Sequence, residues 1–135
     1  MGTLVADIKP AVRHRIRILV VDDEAAIRET AGMILRREGY DVRTAADGVD
    51  GLRALSIYLP DLIISDLNMP RMSGFEFLAL VRKQFPQIAT IAMSGQSIGE
   101  EPANRIADAF LQKGDYAFVG LLRNIVKLLS SSTAA

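Results

Sequence analysis

The chain has no cysteine, a single histidine and no apolar run long enough to span a bilayer. Without cysteine there are no disulfides and no thiolate metal sites, which fits a reducing compartment. Neither sign of charge is in excess, since 16 lysines and arginines stand against 16 acids. No global field therefore directs the chain toward nucleic acid or an anionic membrane, and neither is expected as a partner. The first 15 residues include Asp7, Lys9, Pro10 and Arg13 and lack the continuous apolar core of a signal peptide, so a cytoplasmic location is expected. His14 lies in this leader with no partner in sight and is read as solvent-exposed. Loops of the Gly-x-Gly-x-x-Gly or Gly-Lys-Ser/Thr kind are missing too, which argues against nucleotide binding.

What is present suits one domain: 135 residues, of which 50% are hydrophobic, can bury a real core. Residues 1–15 are expected to form a flexible leader, 16–129 the folded unit and 130–135 a disordered tail. Proline is scarce, and Pro60, Pro70, Pro86 and Pro102 each interrupt a pattern. The β-rich run Ile16-Arg17-Ile18-Leu19-Val20-Val21 stops at Asp22-Asp23-Glu24, an acidic cluster suited to a helix N-terminus. Ile27, Ala31, Ile34 and Leu35 then recur at helical spacing up to Gly39. Asp-Val-Arg-Thr-Ala at 41–45 reads as a second strand, and Asp47-Gly48 as the turn into a helix presenting Val49, Leu52, Leu55 and Leu59.

Leu62-Ile63-Ile64-Ser65 has the pattern of a strand buried on both faces. It delivers Asp66 to a turn enforced by Pro70, because Met69 before proline is biased away from helix. A helix presenting Phe75, Leu78, Val81 and Phe85 should follow and end at Pro86. Residues 88–93 form a fourth apolar strand ending in Ser94-Gly95, and residues 96–108 are irregular, with a short helix at most. Ala109-Phe110-Leu111-Gln112 is a brief fifth strand before Lys113-Gly114. Asp115 can then cap a last helix presenting Phe118, Leu121, Leu122, Ile125 and Leu129.

Five strands alternating with five helices argue for a parallel α/β sheet covered on both faces. Asp22 and Asp23 follow strand one, Asp66 ends strand three, Ser94 ends strand four and Lys113 ends strand five. Parallel strands place all of them on one edge, while strand two offers no comparable group, as expected for the order 2-1-3-4-5. Taken singly, each has an ordinary explanation: a helix cap, a turn, a solvated lysine. Jointly they make a site. Three converging carboxylates repel one another unless a hard divalent cation lies between them, and Mg²⁺ accepts carboxylate and carbonyl oxygens while leaving room for a phosphate oxygen. Lys113 and the Ser94 hydroxyl can then hold an anion on Asp66, the candidate nucleophile.

The chain resembles the receiver domain of two-component response regulators over residues 16–129. The resemblance rests on Val20-Val21-Asp22-Asp23-Glu24, Ala46-Asp47-Gly48, Asp66-Leu67-Asn68-Met69-Pro70 with Gly74 following, Met93-Ser94-Gly95, and Ala109-Phe110-Leu111-Gln112-Lys113. It implies a flavodoxin-like (βα)5 three-layer sandwich. It implies that Asp66 accepts a phosphoryl group from a sensor histidine kinase or a histidine phosphotransfer protein. It further implies Mg²⁺ held by Asp22, Asp23, Asp66 and the backbone carbonyl of Asn68, phosphoryl contacts from Ser94 and Lys113, and a conformational switch through Ser94 and Phe110. Such a module is not an enzyme beyond assisting its own phosphorylation and dephosphorylation.

Two departures from the family pattern stand out. Gly114 replaces the usual proline, commonly preceded by a cis bond; a cis bond before glycine costs about 2.5–4 kcal/mol, so a less rigidly held Lys113 is expected. The segment between Ser94 and Lys113 is short, which implies a shortened or irregular fourth helix. Many members bind effectors or self-associate through the fourth helix, fifth strand and fifth helix, and this segment leaves that face open here. The competing readings are a receiver-like scaffold with impaired switching and an aspartate-nucleophile phosphatase. The latter needs a second acid where this chain has Asn68.

Overall fold

The computed structural model describes residues 15–95, 106–114, 119–120, 122–124 and 126–129. Its elements are β1 (Arg17–Val21), α1 (Ala25–Arg37), β2 (Asp41–Ala45), α2 (Gly48–Leu55), β3 (Leu62–Asp66), α3 (Gly74–Gln84), β4 (Ala89–Ser94) and β5 (Ala109–Gln112). Helical residues at 119–120, 122–124 and 126–129 follow. The expected leader, the short fourth helix, the Asp115 cap and the tail lie outside the described residues, as do His14, Phe118, Leu121 and Ile125.

The strands form one parallel sheet in the order β2-β1-β3-β4-β5. Every residue of β3 is buried, as the apolar run Leu62-Ile63-Ile64 requires of a central strand. Alternate side chains divide the core in two. Ile18, Val20, Leu62, Ile64, Ile91 and Met93 pack on one face against Ala31 and Leu35 of α1 and Leu122 and Val126 near the C-terminus. Leu19, Val21, Ile63 and Ala92 pack on the other against Leu55 of α2 and Phe77, Leu78 and Val81 of α3. The result is the three-layer, flavodoxin-like sandwich expected from the sequence.

Two side-chain assignments change. On α3 the buried aromatic is Phe77, fully enclosed, whereas Phe75 is 41% exposed. Both fit a helical repeat, but Phe77 fills the space that Gly51 leaves on α2, where a Cβ would lie 2.9 Å from its ring. α2 also ends at Leu55 rather than reaching Leu59. After the Ser56 cap the chain turns so that Tyr58 enters the protein and Leu59 faces outward. The Tyr58 hydroxyl donates to the Asp41 carbonyl at 2.9 Å, and the Arg43 guanidinium lies 4.6 Å from its ring centre. Burial and the Asp41 charge push its hydroxyl up to about 12.

Candidate functional site

Each chemistry-bearing side chain sits where a strand of the parallel sheet ends, so the sheet's carboxyl edge gathers them. Asp66 is the last residue of β3 and is buried. Ser94 closes β4, also buried, and its carbonyl accepts from the Lys113 N–H at 2.8 Å. That bond brings the start of the chain beyond β5 alongside the end of β4. Asp22, directly after β1, is fully buried, and Asp23 beside it is exposed. Asp22, Asp23 and Asp66 each present one carboxylate oxygen within 4.8 Å of the others.

The Lys113 ammonium lies among these acids, 2.9 Å from Asp22 Oδ2, 2.9 Å from Glu24 Oε1 and 3.3 Å from Asp66 Oδ2, with its side chain 6% exposed. Lys113 is thus held by charge although Gly114, at φ 119°, follows it; no peptide bond is cis among the described residues. Burial alone would lower the lysine's pKa, but contacts with Asp22 and Glu24 and the charges of Asp22 and Asp66 raise it overall. Glu24 is the N-cap of α1 but makes no capping bond with its side chain, which reaches Lys113 instead. The acidic cluster at 22–24 therefore serves the site more than the helix end. Asp22 Oδ1 accepts from the Glu24 N–H at 2.9 Å, and Arg28 donates to the Asp22 carbonyl at 2.6 Å.

One ammonium does not balance these acids. Two unit charges 4.8 Å apart repel by about 3.5 kcal/mol at an effective dielectric of about 20. Burial, and then the Asp22 charge, push Asp66 up to about 6, against the pull of Lys113 and the Asn68 N–H. Burial also raises Asp22, although the Glu24 N–H and Lys113 work the other way. Asp22 Oδ2 is buried with no hydrogen bond of regular geometry, and its contact with Lys113 is an ion pair only. Three hard carboxylate oxygens converging within 4.8 Å, with a single ammonium to offset their charge, fit a divalent cation such as Mg²⁺.

The cleft above these groups, about 350 Å³, is lined by Asp23, Glu24, Asp66, Asn68, Gly95 and Lys113. A larger hollow of about 750 Å³ lies at the opposite edge, beside Arg17, Asp61, Ala89 and Asp108. Its acids are engaged structurally: Asp61 accepts from the Arg17 N–H and Asp108 from the Thr90 N–H, each at 2.8 Å. Chemistry, not volume, selects the smaller cleft. Asn68 lies on the loop after β3, where its N–H donates to Asp66 Oδ1 at 3.3 Å. Phe110 is half-buried on β5, paired in register with Ala92 and packed against the core face that carries α2 and α3.

Three residues that the sequence motifs contain make contacts near the site that the patterns did not reveal. One is Glu24 as a partner of Lys113. A second is Gly74, whose position leaves no room for a side chain beside the Asp66 carbonyl. The third is Asp47, which caps α2 by accepting from the Asp50 N–H at 2.9 Å and also pairs with Arg71 on the loop after β3. The Asp50 N–H first, and Arg71 second, hold its carboxyl below the ordinary 3.8. Its stabilising contribution is therefore complete above pH 3.8 and is lost as the pH falls through the depressed folded value. Asn at this position still caps the helix but does not titrate. Melting curves taken from neutral pH down to about pH 2 should show Asp47→Asn losing less stability on acidification than the parent. Parallel curves would remove the ion pair from the account.

Residues 18–116 match the family model of the response regulator receiver domain, and the chain belongs to that family. It is 33% identical to the probable transcriptional regulatory protein TcrX of Mycobacterium tuberculosis, over 75% of this chain and 42% of that protein. It is 32% identical to the alkaline phosphatase synthesis transcriptional regulatory protein SphR of Synechococcus elongatus, over 81% of this chain and 45% of that protein. The chain thus spans less than half the length of these two relatives. Among solved structures it is similar to response regulator protein TrrA of Thermotoga maritima, in complex with Mg(2+)-BeF, with a TM-score of 0.78 and 34% identity over 84% of this chain and 98% of that one. No helix among the described residues is long and apolar enough to cross a membrane.

Proposed function

We propose that Asp66 is the phosphoacceptor of a signalling switch, taking a phosphoryl group from a phosphohistidine on a sensor kinase or phosphotransfer protein. The observation that carries this reading is a buried strand-end carboxylate with an ammonium 3.3 Å away and two further acids within 4.8 Å. A carboxylate oxygen of Asp66 attacks phosphorus as the phosphorus–nitrogen bond to the partner's imidazole breaks, and the imidazole leaves with its electron pair. Mg²⁺, held by Asp22, Asp23, Asp66 and the Asn68 backbone carbonyl, would neutralise charge on the phosphoryl oxygens when bound. The similar response regulator protein TrrA is in complex with Mg(2+)-BeF, which supports a cation at such a site.

Lys113 pairs with the new anion, and the Ser94 hydroxyl donates to one of its oxygens. Movement of Ser94 toward the phosphoryl group opens space beside Phe110, whose ring turns inward and changes the outer face of β5. Phe110 lacks a hydroxyl, so its part is steric. This reading makes the domain a stoichiometric switch in the cytoplasm rather than a turnover enzyme, and Asn68 leaves a phosphatase without its second acid.

The purified protein, mixed with Mg²⁺ and a small acyl phosphate donor, should take up one phosphoryl group, stable in acid, labile in base and absent when the metal is chelated. A base-stable label, or multiple turnovers of a phosphomonoester, would contradict the reading. If Mg²⁺ with beryllofluoride left the amide resonances of Asp66 and Ser94 unmoved, the inert scaffold would be the better account.

A further inference from the structure

The loop between β3 and α3 carries Asn68, and it is fastened to the start of α2 at two adjacent points. Arg71 has a left-handed backbone at φ 67°, unusual for a residue with a side chain, and its guanidinium pairs with the Asp47 carboxylate. Met72, the next residue, sits over Gly48, where a Cβ would lie 2.9 Å from Met72 Cγ. Asp47 is itself fixed, being buried and bonded to the Asp50 N–H. At the other end of the loop, the Asn68 N–H reaches Asp66 Oδ1 and the Gly74 N–H donates to the Leu67 carbonyl at 2.9 Å. Loop residues 68 and 70 are exposed, so packing alone does little to set their positions.

We propose that the Asp47–Arg71 ion pair, with Met72 seated on Gly48, is a clasp that positions the Asn68 backbone carbonyl for Mg²⁺, making Asp47 and Arg71 positioning residues for phosphorylation. This rests on the reading of Asn68 as a metal ligand. The clasp links a helix cap to the site through the backbone: Arg71 lies three residues from Asn68, and holding Arg71 in its left-handed conformation fixes the direction in which the chain leaves Pro70. Groups that orient ligands in this way commonly change metal affinity by about 10–100-fold.

A clasp and a simple field effect predict different outcomes. Through the field alone, Arg71→Gln removes a positive charge and tightens Mg²⁺ binding, while Asp47→Asn removes a negative charge and weakens it. Through the clasp both substitutions weaken it, by about tenfold, and the double variant is no worse than either single one. Arg71→Lys, which keeps a cation at the same backbone conformation, should retain most of the parent affinity.

The experiment is Mg²⁺ titration of the parent, Arg71→Gln, Arg71→Lys, Asp47→Asn and the double variant. It is read by calorimetry and by the amide resonances of residues 66–68, with a thermal melt of each protein in the absence of metal. Both glutamine and asparagine variants should melt as cooperative folded proteins, and Asp47→Asn keeps its helix cap. Unchanged or tighter Mg²⁺ binding in Arg71→Gln, with the parent binding normally, overturns the clasp and leaves the phosphoacceptor reading intact. A parent that binds no Mg²⁺ overturns the metal assignment, and the clasp with it.

Discussion

Asp66→Asn is expected to take up no phosphoryl group and, in metal-free buffer at neutral pH, to melt several degrees above the parent. The first half follows from chemistry, because a carboxamide oxygen is a poor nucleophile and cannot form an acyl phosphate of the same kind. The second follows from burial. Asp66 is 3% exposed, and its carboxyl is pushed from 3.8 up to about 6 by desolvation and by Asp22. A raised folded pKa means that the parent loses stability as pH rises from 3.8 through about 6, since the folded state resists ionisation. Asn has no proton to lose, so the variant's advantage is absent below 3.8 and complete above about 6. On the order of 1–2 kcal/mol is expected, after discounting for water that reaches the open cleft.

Asn can still accept from the Asn68 N–H, and Lys113 keeps Asp22 and Glu24 as partners. Melting with and without Mg²⁺ completes the test: the cation should raise the parent's melting temperature far more than the variant's. A metal-free variant less stable than the parent would mean that Lys113 more than compensates the buried acid, contrary to the electrostatic account. On the proposed function, stability and function oppose each other at this residue, because the site would store unfavourable charge for a ligand to relieve.

Gly74→Ala is expected to damage both the fold and the site. A Cβ there would lie 1.9 Å from the Asp66 carbonyl oxygen and 2.6 Å from Leu67 Cα. Both are backbone atoms that cannot rotate away, so the first turn of α3 must part from the end of β3. That also strains the Gly74 N–H bond to the Leu67 carbonyl and the Ser73–Glu76 capping box beside it. A loss of about 3 kcal/mol, the upper range for overpacking, is expected, with Mg²⁺ binding weakened because Asp66 moves with its carbonyl. Urea unfolding measures the first and metal titration the second. Gly48→Ala is the control for stability only, since it touches the proposed clasp: its Cβ would meet the Met72 side chain at 2.9 Å, a flexible thioether that can shift, so a loss below about 1.5 kcal/mol is expected. Equal losses in the two variants would mean that the contact at Gly74 is not what limits substitution there.

Most of the architecture was legible because it is written in short-range patterns. β2 and β5 fall at the residues expected, and β1, β3 and β4 within one residue of theirs. Their order followed from which strand ends carry polar groups. Helix faces were less legible. Phe75 and Phe77 satisfy the helical repeat almost equally, and Gly51 on another helix decides between them. Leu59 fits the repeat of α2, but the helix has ended by then, and Tyr58 takes the inward place through a hydroxyl bond to β2.

The site divides in the same way. The residues at the carboxyl edge could be named from the sequence, since a parallel sheet sends every strand end to the same side and Asp22, Asp23, Asp66, Ser94 and Lys113 each follow or close a strand. Strand pattern and the gathering of these side chains at one edge were therefore determined by the sequence alone. Only the tertiary structure decided the partnerships: Glu24 with Lys113, 89 residues apart, Asp47 with Arg71, 24 apart, and Gly74 against the Asp66 carbonyl. Periodicity reports which face of an element is buried, but an ion pair or a close backbone approach depends on the register between elements. That register is set by how the whole core packs.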